Sequence, residues 1–427
     1  MTKFAGLNLA QPVLRAVSEE GYETPTPIQS KSIAPLIAGR DLLGVAQTGT
    51  GKTAAFALPL LHRLAEKATK PWRNRPRVLI LAPTRELAGQ IGEAITAYGR
   101  HLQLKSAVVF GGVSIRPQIA ALSRGVHIVV ATPGRLIDLM NQGHLKLDRI
   151  EMFILDEADR MLDMGFIHDV RKISAALPKP RQTVLFSATM PKPVKVLADG
   201  LLNNPVHVEV APAATTAEKV EQSVYFVARE KKLAMLSELM ADEAISRVLV
   251  FTRTKHRADR VTRHLKAIGV EAAAIHGNKS QNARQRALKG FQDGKIRALV
   301  ATDIAARGID VDAVTHVINF EIPNEPETYV HRIGRTARAG AAGIAISLCD
   351  ADERAYLRDI EKTIRQPVPV IEDQPFHDEA IARSQAKPAG KPGARRTKSR
   401  SRRRPGGKRH KGAGNNSKNR RSQRPAA

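Results

Sequence analysis

The chain has 427 residues, of which 42% are hydrophobic, and this is enough to fill the cores of two ordinary domains. The chain has one cysteine, Cys349, and a single cysteine excludes both a disulfide framework and a cysteine-rich metal site. Cys349 lies in an apolar run, which predicts a buried thiol. The net charge is +27, and residues 380–427 carry seventeen Lys and Arg with no Asp or Glu, which indicates a polyanionic partner.

The amino terminus is mildly apolar, but Gln11-Pro12 and Glu19-Glu20 soon follow, and it has no convincing cleavage site. It is therefore not typical of a signal peptide. No run approaches the ~18 apolar residues that a membrane span needs. From these patterns we expect a cytoplasmic protein.

Apolar, β-branched runs alternate with helical patterns along most of the chain. This alternation predicts an α/β fold with parallel sheets that are covered by helices on both faces. The predicted strands of a first set are residues 42–45, 78–82, 107–110, 127–131, 152–155 and 183–186. The predicted strands of a second set are residues 224–227, 248–251, 298–301, 314–318 and 344–348.

The break between the two sets covers residues 203–216, which are rich in Pro, Asn and small residues without periodicity. It predicts a linker near residue 212. Beyond Pro375 aromatic and aliphatic residues nearly vanish, and Lys, Arg, Gly, Ser and Pro take over. Such a segment buries too little surface to offset its ordering entropy, so residues 376–427 are predicted to be a disordered basic tail.

Residues 46–53 read AQTGTGKT, and this ending is typical of a phosphate-binding loop. The strict pattern asks for Gly at Ala46, but no left-handed backbone is needed there if Gly49 and Gly51 make the turn. A predicted strand precedes the loop and a predicted helix, residues 54–61, follows it, so backbone N–H groups can hold phosphate oxygens. Lys52 is then predicted to hold the β and γ phosphates, and the Thr53 hydroxyl to bind Mg²⁺.

The sequence Asp156-Glu157-Ala158-Asp159 directly follows the predicted strand at residues 152–155. Open α/β sheets bind their ligands at the carboxyl ends of strands. Asp156 is therefore a predicted Mg²⁺ ligand, through water, and Glu157 is predicted to orient or deprotonate an attacking water. Taken alone, these residues are also compatible with a solvated acidic loop.

These two motifs together closely resemble the DEAD-box ATP-dependent RNA helicases of superfamily 2, whose first motif begins with Ala. The resemblance runs motif by motif along almost all of residues 1–375, and the short core is similar to the bacterial RhlE-type group. It implies two tandem RecA-like domains, with ATP and Mg²⁺ in the cleft between them and single-stranded RNA across both. The implied divisions are a Q-motif region at 1–30, an ATP-binding domain at 31–210, a linker at 211–218, a C-terminal helicase domain at 219–375 and the tail at 376–427.

The resemblance also implies which residues hold the nucleotide. Gln29 of the Q motif is expected to read adenine, and a Gln amide suits adenine N6 and N7. Phe4 is expected to stack on the base, and Asp310 to lie towards the ribose. The implied nucleotide contacts are Phe4, Gln29, Ala46, Gln47, Thr48, Gly49, Thr50, Gly51, Lys52, Thr53 and Asp310.

Several strand-to-helix turns of both lobes resemble the RNA-contacting loops of the family. Their backbone N–H, hydroxyl and guanidinium donors suit phosphate contacts rather than base reading. Each turn on its own is also typical of an ordinary capped helix. The implied RNA contacts are Pro83, Thr84, Arg85, Gly112, Thr132, Arg135, Thr252, Gly277, Arg284 and Thr302.

Ser187-Ala188-Thr189 resembles the motif that couples hydrolysis to unwinding, although the tripeptide alone is equally typical of a helix N-cap. Asp159 and His331 are implied to share the coupling role. The implied catalytic residues are Glu157, Asp156, Lys52, Arg335 and Arg338.

By the same resemblance, Arg335 and Arg338 are arginine fingers that act on the γ-phosphate. If residues 331–338 are helical, His331 lies on one face with both arginines. Ala337 replaces the Gly that is most common there, and we expect it to stiffen the segment without touching the arginines. A solvated basic helix is the alternative interpretation.

The expected activity is ATP hydrolysis that is stimulated by RNA and resets a two-lobe clamp, which locally melts short duplexes or remodels RNA–protein complexes. Because aromatic residues make up only 4% of the chain, we expect binding through phosphates and sugars, independent of base sequence. Two alternatives are an ATP-gated RNA clamp or annealing protein, and a DNA-directed motor, which the motifs disfavour.

Candidate partners are structured and single-stranded RNA, including ribosomal precursors or RNA-decay complexes, and we expect a monomeric core. The basic tail is expected to tether RNA through non-specific charge contacts. A solubilising tail and a nuclear address are the alternative interpretations of its composition.

Overall fold

The computed structural model describes residues 3–47, 49–67, 69–210, 220–306, 314–336 and 343–384. They belong to one compact unit, Met1–Pro388. Within it, two parallel sheets follow one another along the chain, and we call them with their helices the first and second lobes.

The first sheet has seven parallel strands in the order β3-β4-β2-β5-β6-β1-β7. Its strands are β1 Leu42–Val45, β2 Val78–Leu81, β3 Ser106–Val109, β4 Ile128–Ala131, β5 Met152–Leu155, β6 Gln182–Ser187 and β7 Val206–Glu209. Its helices are α1 Gln11–Glu19, α2 Pro27–Ile37, α3 Lys52–Glu66, α4 Arg85–Tyr98, α5 Arg116–Ser123, α6 Pro133–Asn141, α7 Ala158–Asp163, α8 Ile167–Ala175 and α9 Lys192–Leu201. A 3-10 turn, Phe4–Leu7, precedes α1.

The second sheet has six parallel strands in the order β10-β11-β9-β12-β13-β8. Its strands are β8 Val220–Phe226, β9 Val248–Thr252, β10 Ala272–Ile275, β11 Ala298–Thr302, β12 His316–Asn319 and β13 Gly343–Cys349. Its helices are α10 Lys232–Ala241, α11 Lys255–Ala267, α12 Gln281–Gln292, α13 Asp303–Ala306, α14 Pro326–Ile333, α15 Arg354–Ile364 and α16 Glu379–Arg383, with a 3-10 turn at Ala351–Glu353.

Buried strand residues fill cores on both faces of each sheet, because successive side chains of a strand point to opposite faces. In β2, Val78 and Ile80 pack with helices α1–α4, whereas Leu79 and Leu81 pack with helices α5–α9. The second sheet repeats this arrangement over three smaller clusters. The predicted α/β class with parallel sheets covered on both faces is therefore confirmed, and Cys349 is a buried free thiol as expected.

The structure differs from the sequence interpretation in the positions of several elements. The break at residues 203–216 contains a strand, β7, which extends the first sheet beyond β1. Strand β10 was not predicted, because its sequence Ala-Ala-Ala-Ile is only weakly apolar. The helix after the phosphate loop is longer than predicted, since α3 covers Lys52–Glu66.

The prediction that the disordered tail begins at residue 376 is wrong for residues 376–384. Asp378 caps α16 by accepting a hydrogen bond from the Ile381 N–H, and Ile381 is buried in a core cluster of the second lobe. The prediction failed because a five-residue helix with so few apolar residues gives almost no periodic signal. The rest of the tail and the linker at 211–218 lie outside the described residues. In the described part of the chain, no helix combines the length and apolar character that crossing a membrane requires.

Candidate functional site

The phosphate loop connects β1 to α3, and its turn is made by glycines. Gly49 and Gly51 have positive φ values of 82° and 89°, a region that glycine enters at little cost. Ala46 is buried and has no positive φ. Its carbonyl oxygen accepts a hydrogen bond of 3.0 Å from the Lys52 ammonium, which points back across the loop. The loop therefore closes around Lys52, while Thr48 lies outside the described residues.

The Q-motif glutamine is tied to this loop. The Gln29 amide oxygen accepts from the Thr26 N–H at 2.8 Å, as in a capping box, and its nitrogen donates to the Gly51 carbonyl at 3.2 Å. The Thr26 hydroxyl donates to the Thr50 carbonyl at 2.8 Å. A Cβ at Gly51 would lie 2.4 Å from the Gln29 nitrogen, so only glycine fits there. In this arrangement the Gln29 amide nitrogen contacts the phosphate loop, while its oxygen is engaged in the capping box of α2.

Phe4 lies in the core of the first lobe. Its side chain is 4% exposed, and its ring stacks on Tyr22 with centroids 6.5 Å apart. For Phe4 to stack on a base as expected, one face of its buried ring would have to become exposed. Asp310, the expected ribose contact, lies outside the described residues.

Two buried carboxylates directly follow strand β5 beside the phosphate loop. Asp156 and Glu157 are 2% and 4% exposed, and Glu157 has a left-handed backbone with φ of 54°. Burial raises the pKa of Asp156 to about 6, although the Lys52 ammonium opposes this shift. Glu157 accepts a hydrogen bond of 2.5 Å from Arg160, which fixes its carboxylate at the edge of the sheet.

The oxygen donors around the loop fit Mg²⁺. Asp156 supplies a carboxylate and Thr53 a hydroxyl, and Mg²⁺ prefers one or two such groups together with phosphate oxygens and water. Among the described residues no group of three or more His, Cys, Asp and Glu side chains forms a metal cluster.

Asp159, Ser187 and Thr189 form one hydrogen-bonded network beside the acid pair. Asp159 accepts from both the N–H and the hydroxyl of Thr189, each at 2.9 Å. Ser187, the last residue of β6, donates to the Thr189 carbonyl at 2.7 Å and accepts from the Asp159 N–H at 3.3 Å. The structure therefore brings together three of the four residues expected to couple hydrolysis to unwinding.

The condition that residues 331–338 are helical is not met at residues 334–336, because α14 ends at Ile333 with Gly334 as its C-cap. Arg335 lies in the following turn, and its Nε donates to the His331 carbonyl at 3.3 Å. His331 and Arg335 line a pocket of about 190 Å³ that also includes Gln47 and Thr189 of the first lobe. Both residues therefore face the nucleotide side of the first lobe, while Arg338 and Ala337 lie outside the described residues.

Sequence reasoning missed the anchor of this turn, Arg332. Its guanidinium donates to both Asp303 oxygens, at 2.6 and 2.8 Å, to Asn319 at 3.0 Å and to the Glu321 carbonyl at 2.6 Å. Arg332 is almost fully buried, so it fixes α14 to the ends of β11 and β12. Arg332 directly follows His331 in the sequence, and this position in the motif was the signal that could have identified it.

Most of the expected RNA contacts line one cleft of about 550 Å³ that includes residues of both lobes. Gly112 lies at its margin, where a Cβ would be 2.0 Å from Arg85. Thr252 is fully buried and its hydroxyl donates to the Thr254 carbonyl, so the structure does not offer it to RNA. Thr302 ends β11 and is half-buried outside the lining. The expected contacts that do line the cleft are Pro83, Thr84, Arg85, Thr132, Arg135, Gly277 and Arg284.

Glu86, which sequence reasoning left without a role, connects the lobes inside this cleft. Its carboxylate accepts from the Gln281 amide at 3.0 Å and lies 3.1 Å from the Arg284 guanidinium. Arg85 donates to the Gln281 amide oxygen at 3.3 Å. The amino-terminal ends of α4 and α12 thus meet across the cleft through four polar side chains.

Family models match both lobes of the chain. A model described as DEAD/DEAH box helicase matches residues 26–197, and one described as Helicase conserved C-terminal domain matches residues 231–340.

Curated relatives match over most of their length. The ATP-dependent RNA helicase CshA of Listeria monocytogenes is 44% identical over 384 residues, which is 90% of this chain and 72% of that protein. The DEAD-box ATP-dependent RNA helicase CshA of Geobacillus kaustophilus is 42% identical over 381 residues, covering 89% of this chain and 80% of that protein. These relatives do not support the more specific RhlE-type grouping.

Solved structures agree with the family models and with the curated relatives. Dbp5 of S. cerevisiae bound to RNA and ADP BeF3 matches with a TM-score of 0.76 and 30% identity, over 87% of this chain and 96% of that one. Mss116p bound to ssRNA and AMP-PNP matches with a TM-score of 0.77 and 27% identity, over 89% and 81% of the two chains. The RecA-like character of both lobes is thereby confirmed. Sequence, fold and motif geometry agree, and the chain belongs to the DEAD-box ATP-dependent RNA helicases.

Proposed function

We propose that this protein is an RNA-stimulated ATPase that uses ATP hydrolysis to melt short RNA duplexes locally or to remodel RNA–protein complexes. The observation that carries this proposal is the pairing of two sites at one edge of the first sheet. The phosphate loop and Asp156 follow β1 and β5, while the basic cleft begins at the ends of β2 and β4. The second lobe contributes residues to both sites, so one closure can complete both.

At the nucleotide, each side chain has a distinct chemical task. Lys52 binds the β and γ phosphates, and Thr53 with Asp156 holds Mg²⁺, which neutralises phosphate charge when it is bound. Glu157 orients the attacking water or removes its proton. Arg335, together with Arg338, stabilises charge on the γ-phosphate from the second lobe.

Closure of the two lobes links hydrolysis to RNA binding. ATP and RNA each gain contacts from both lobes only in the closed state, so each ligand favours binding of the other. The Asp159–Thr189 network joins the acid motif to the end of β6 on the side that faces His331. Loss of the γ-phosphate weakens closure and releases the RNA.

The arginines of the cleft, Arg85, Arg135 and Arg284, favour contacts to phosphates over contacts to base edges. Binding is therefore insensitive to sequence and sensitive to salt. We propose that the targets are structured RNAs such as ribosomal precursors or the substrates of RNA-decay complexes. The proposal includes a cytoplasmic location, a monomeric core and the division of the core near residue 212.

A strand-displacement assay tests the proposal. The substrate is a short RNA duplex of about one helical turn, and the assay compares the full chain with a chain that ends at Ser384. ATP-dependent displacement by both chains is the expected result. Annealing without displacement, lost on truncation, would instead identify an RNA clamp or annealing protein.

A further inference from the structure

The amino ends of the strands in the first sheet form a second edge of that sheet, which the proposed function does not use. All its strands are parallel, so their amino ends lie at the edge opposite the phosphate loop. Six of these strands, β3 to β1 in sheet order, span about 24 Å at roughly 4.8 Å per strand spacing. This edge is therefore long enough for several nucleotides of RNA backbone.

The longest loop at this edge, residues 67–77, contains five Lys and Arg and no Asp or Glu. Backbone hydrogen bonds hold it against its neighbours: the Asn74 N–H donates to the Leu122 carbonyl at 3.0 Å, and the Asn74 carbonyl accepts from Lys146 at 2.9 Å. The His127 ring lies 2.9 Å from the Thr69 carbonyl. The loop is thus built onto the turns that precede β4 and β5.

This packing brings exposed cations from four loops to one surface, which we call the basic edge. The carboxylates nearby are already engaged: Asp148 pairs with Arg75, Glu151 with Arg77, and Asp41 accepts from two backbone N–H groups. The exposed cations of the basic edge have no carboxylate within 4 Å among the described residues. They are Lys70, Arg73, Arg124, Lys146, Arg149 and Lys179.

The only tryptophan of the chain, Trp72, lies among these cations and is 46% exposed. The Arg149 guanidinium carbon is 4.6 Å from the centroid of its ring. An exposed indole beside a row of cations combines the two elements that hold single-stranded nucleic acid: a stacking platform and a charged track. An acidic protein would use the cations but would not require the half-exposed aromatic ring.

The basic edge continues to a cavity of about 550 Å³ at the amino ends of β1 and β6, lined in part by Arg40, Lys179 and Arg181. The Arg181 Nε–H is buried without a hydrogen-bond partner. Asp41 also lines this cavity, and its two carboxylate oxygens accept hydrogen bonds from the N–H groups of Thr183 and Asn203, each at 2.7 Å. The Arg181 guanidinium also donates to the Pro178 carbonyl at 2.7 Å, and phosphate oxygens are strong acceptors for the arginine and lysine donors that line this cavity.

We propose that the basic edge of the first lobe is a second RNA-binding surface, which holds the sugar–phosphate backbone of a segment that lies outside the cleft between the lobes. The proposal rests on RNA being the substrate of the proposed function. Because every residue of this surface belongs to the first lobe, its affinity for RNA does not depend on closure or on the nucleotide state. It therefore keeps a long RNA attached when hydrolysis opens the cleft, whereas an RNA short enough to occupy only the cleft gains nothing from it.

Trp72 provides a direct test, because its fluorescence reports this surface alone. The full chain, saturated with ADP, is titrated with a single-stranded RNA of about 30 nucleotides, and fluorescence anisotropy of labelled RNA measures binding in parallel. The triple variant Arg73→Glu, Arg124→Glu and Arg149→Glu replaces three exposed cations of the basic edge with carboxylates. A matched control, Arg263→Glu, Lys266→Glu and Lys289→Glu, makes the same charge change on exposed helices of the second lobe. Trp72→Ala, on an exposed loop, tests the stacking platform in the anisotropy assay.

We expect long RNA to quench Trp72 fluorescence in the parent chain and in the control. The triple variant is expected to bind long RNA about tenfold more weakly, and its RNA affinity is expected to depend less steeply on salt concentration. ATP turnover with a saturating short RNA is expected to be equal in all chains. Unchanged Trp72 emission at saturating RNA, or equal RNA affinity of the triple variant and the control, would overturn the proposal and leave the basic edge to a protein partner. Absence of RNA stimulation in every chain would instead contradict the proposed function.

Discussion

The Glu86 carboxylate of the first lobe lies 3.1 Å from the Arg284 guanidinium of the second lobe. The two side chains are only 5% and 14% exposed, so salt screens this pair less than it screens a surface pair. Glu86 also accepts from Gln281, and the whole group lines the basic cleft. The contact therefore stabilises the joined lobes where we expect RNA to bind.

Replacing Glu86 tests this link between closure and RNA. Glu86→Gln keeps the shape but removes the charge, and loss of a charged hydrogen bond costs about 1.5 kcal/mol or more. We expect the RNA concentration for half-maximal ATP turnover to rise about tenfold, with turnover at saturating RNA little changed. Glu93→Gln, an exposed position on the same helix, is the control. An unchanged RNA dependence would show that the pair does not contribute to closure.

Glu157→Gln tests the assignment of the water-positioning residue. A positioned base contributes about 10²-fold or more, so we expect ATP turnover to fall by at least that factor while ATP and RNA still bind. The variant is expected to dissociate slowly from RNA in the presence of ATP. Lys52→Ala, by contrast, is expected to lose nucleotide binding. Turnover of Glu157→Gln at the parental rate would show that the assignment is wrong.

Arg335→Ala tests the action of the second lobe on the nucleotide. An arginine supplied to the γ-phosphate is worth about 10³-fold or more in rate, so kcat at saturating ATP and RNA is expected to fall by about 10³. The exposed Arg263→Ala on α11 controls for loss of one positive charge. The assignment fails if both variants have the same kcat.

Thr189→Val tests the network between the acid motif and β6. The substitution removes the hydroxyl that donates to Asp159 and leaves the Thr189 N–H bond in place. We expect ATP turnover to be largely retained while strands displaced per ATP decrease. Thr96→Val, which removes a hydroxyl bonded within α4, is the control. A proportional loss of both activities would contradict a coupling role.

The sequence was sufficient for features that depend on local pattern. Strongly apolar runs predicted the strands that precede the phosphate loop and Asp156, because a strand buried on both faces has a continuous apolar signal. Gly49 and Gly51 indicated the turn of the loop, and both have positive φ values.

Features that depend on distant contacts could not be predicted in this way. Glu86 meets Gln281 and Arg284 almost two hundred positions away in the chain, and no local pattern indicates such a pair. The position of Thr252 at the end of a strand predicted a contact with RNA, but its hydroxyl donates to the Thr254 carbonyl. Helix α14 ends at Ile333, because Gly334 follows and Arg332 is fixed to Asp303 on the neighbouring strand end.

The central claim is that RNA binding completes the site that hydrolyses ATP. ATP turnover by the full chain, measured at low salt with and without single-stranded RNA, tests it most directly. We expect turnover to be slow without RNA, to rise steeply with RNA, and to be lost at every RNA concentration in Lys52→Ala. Equal turnover with and without RNA would contradict the account.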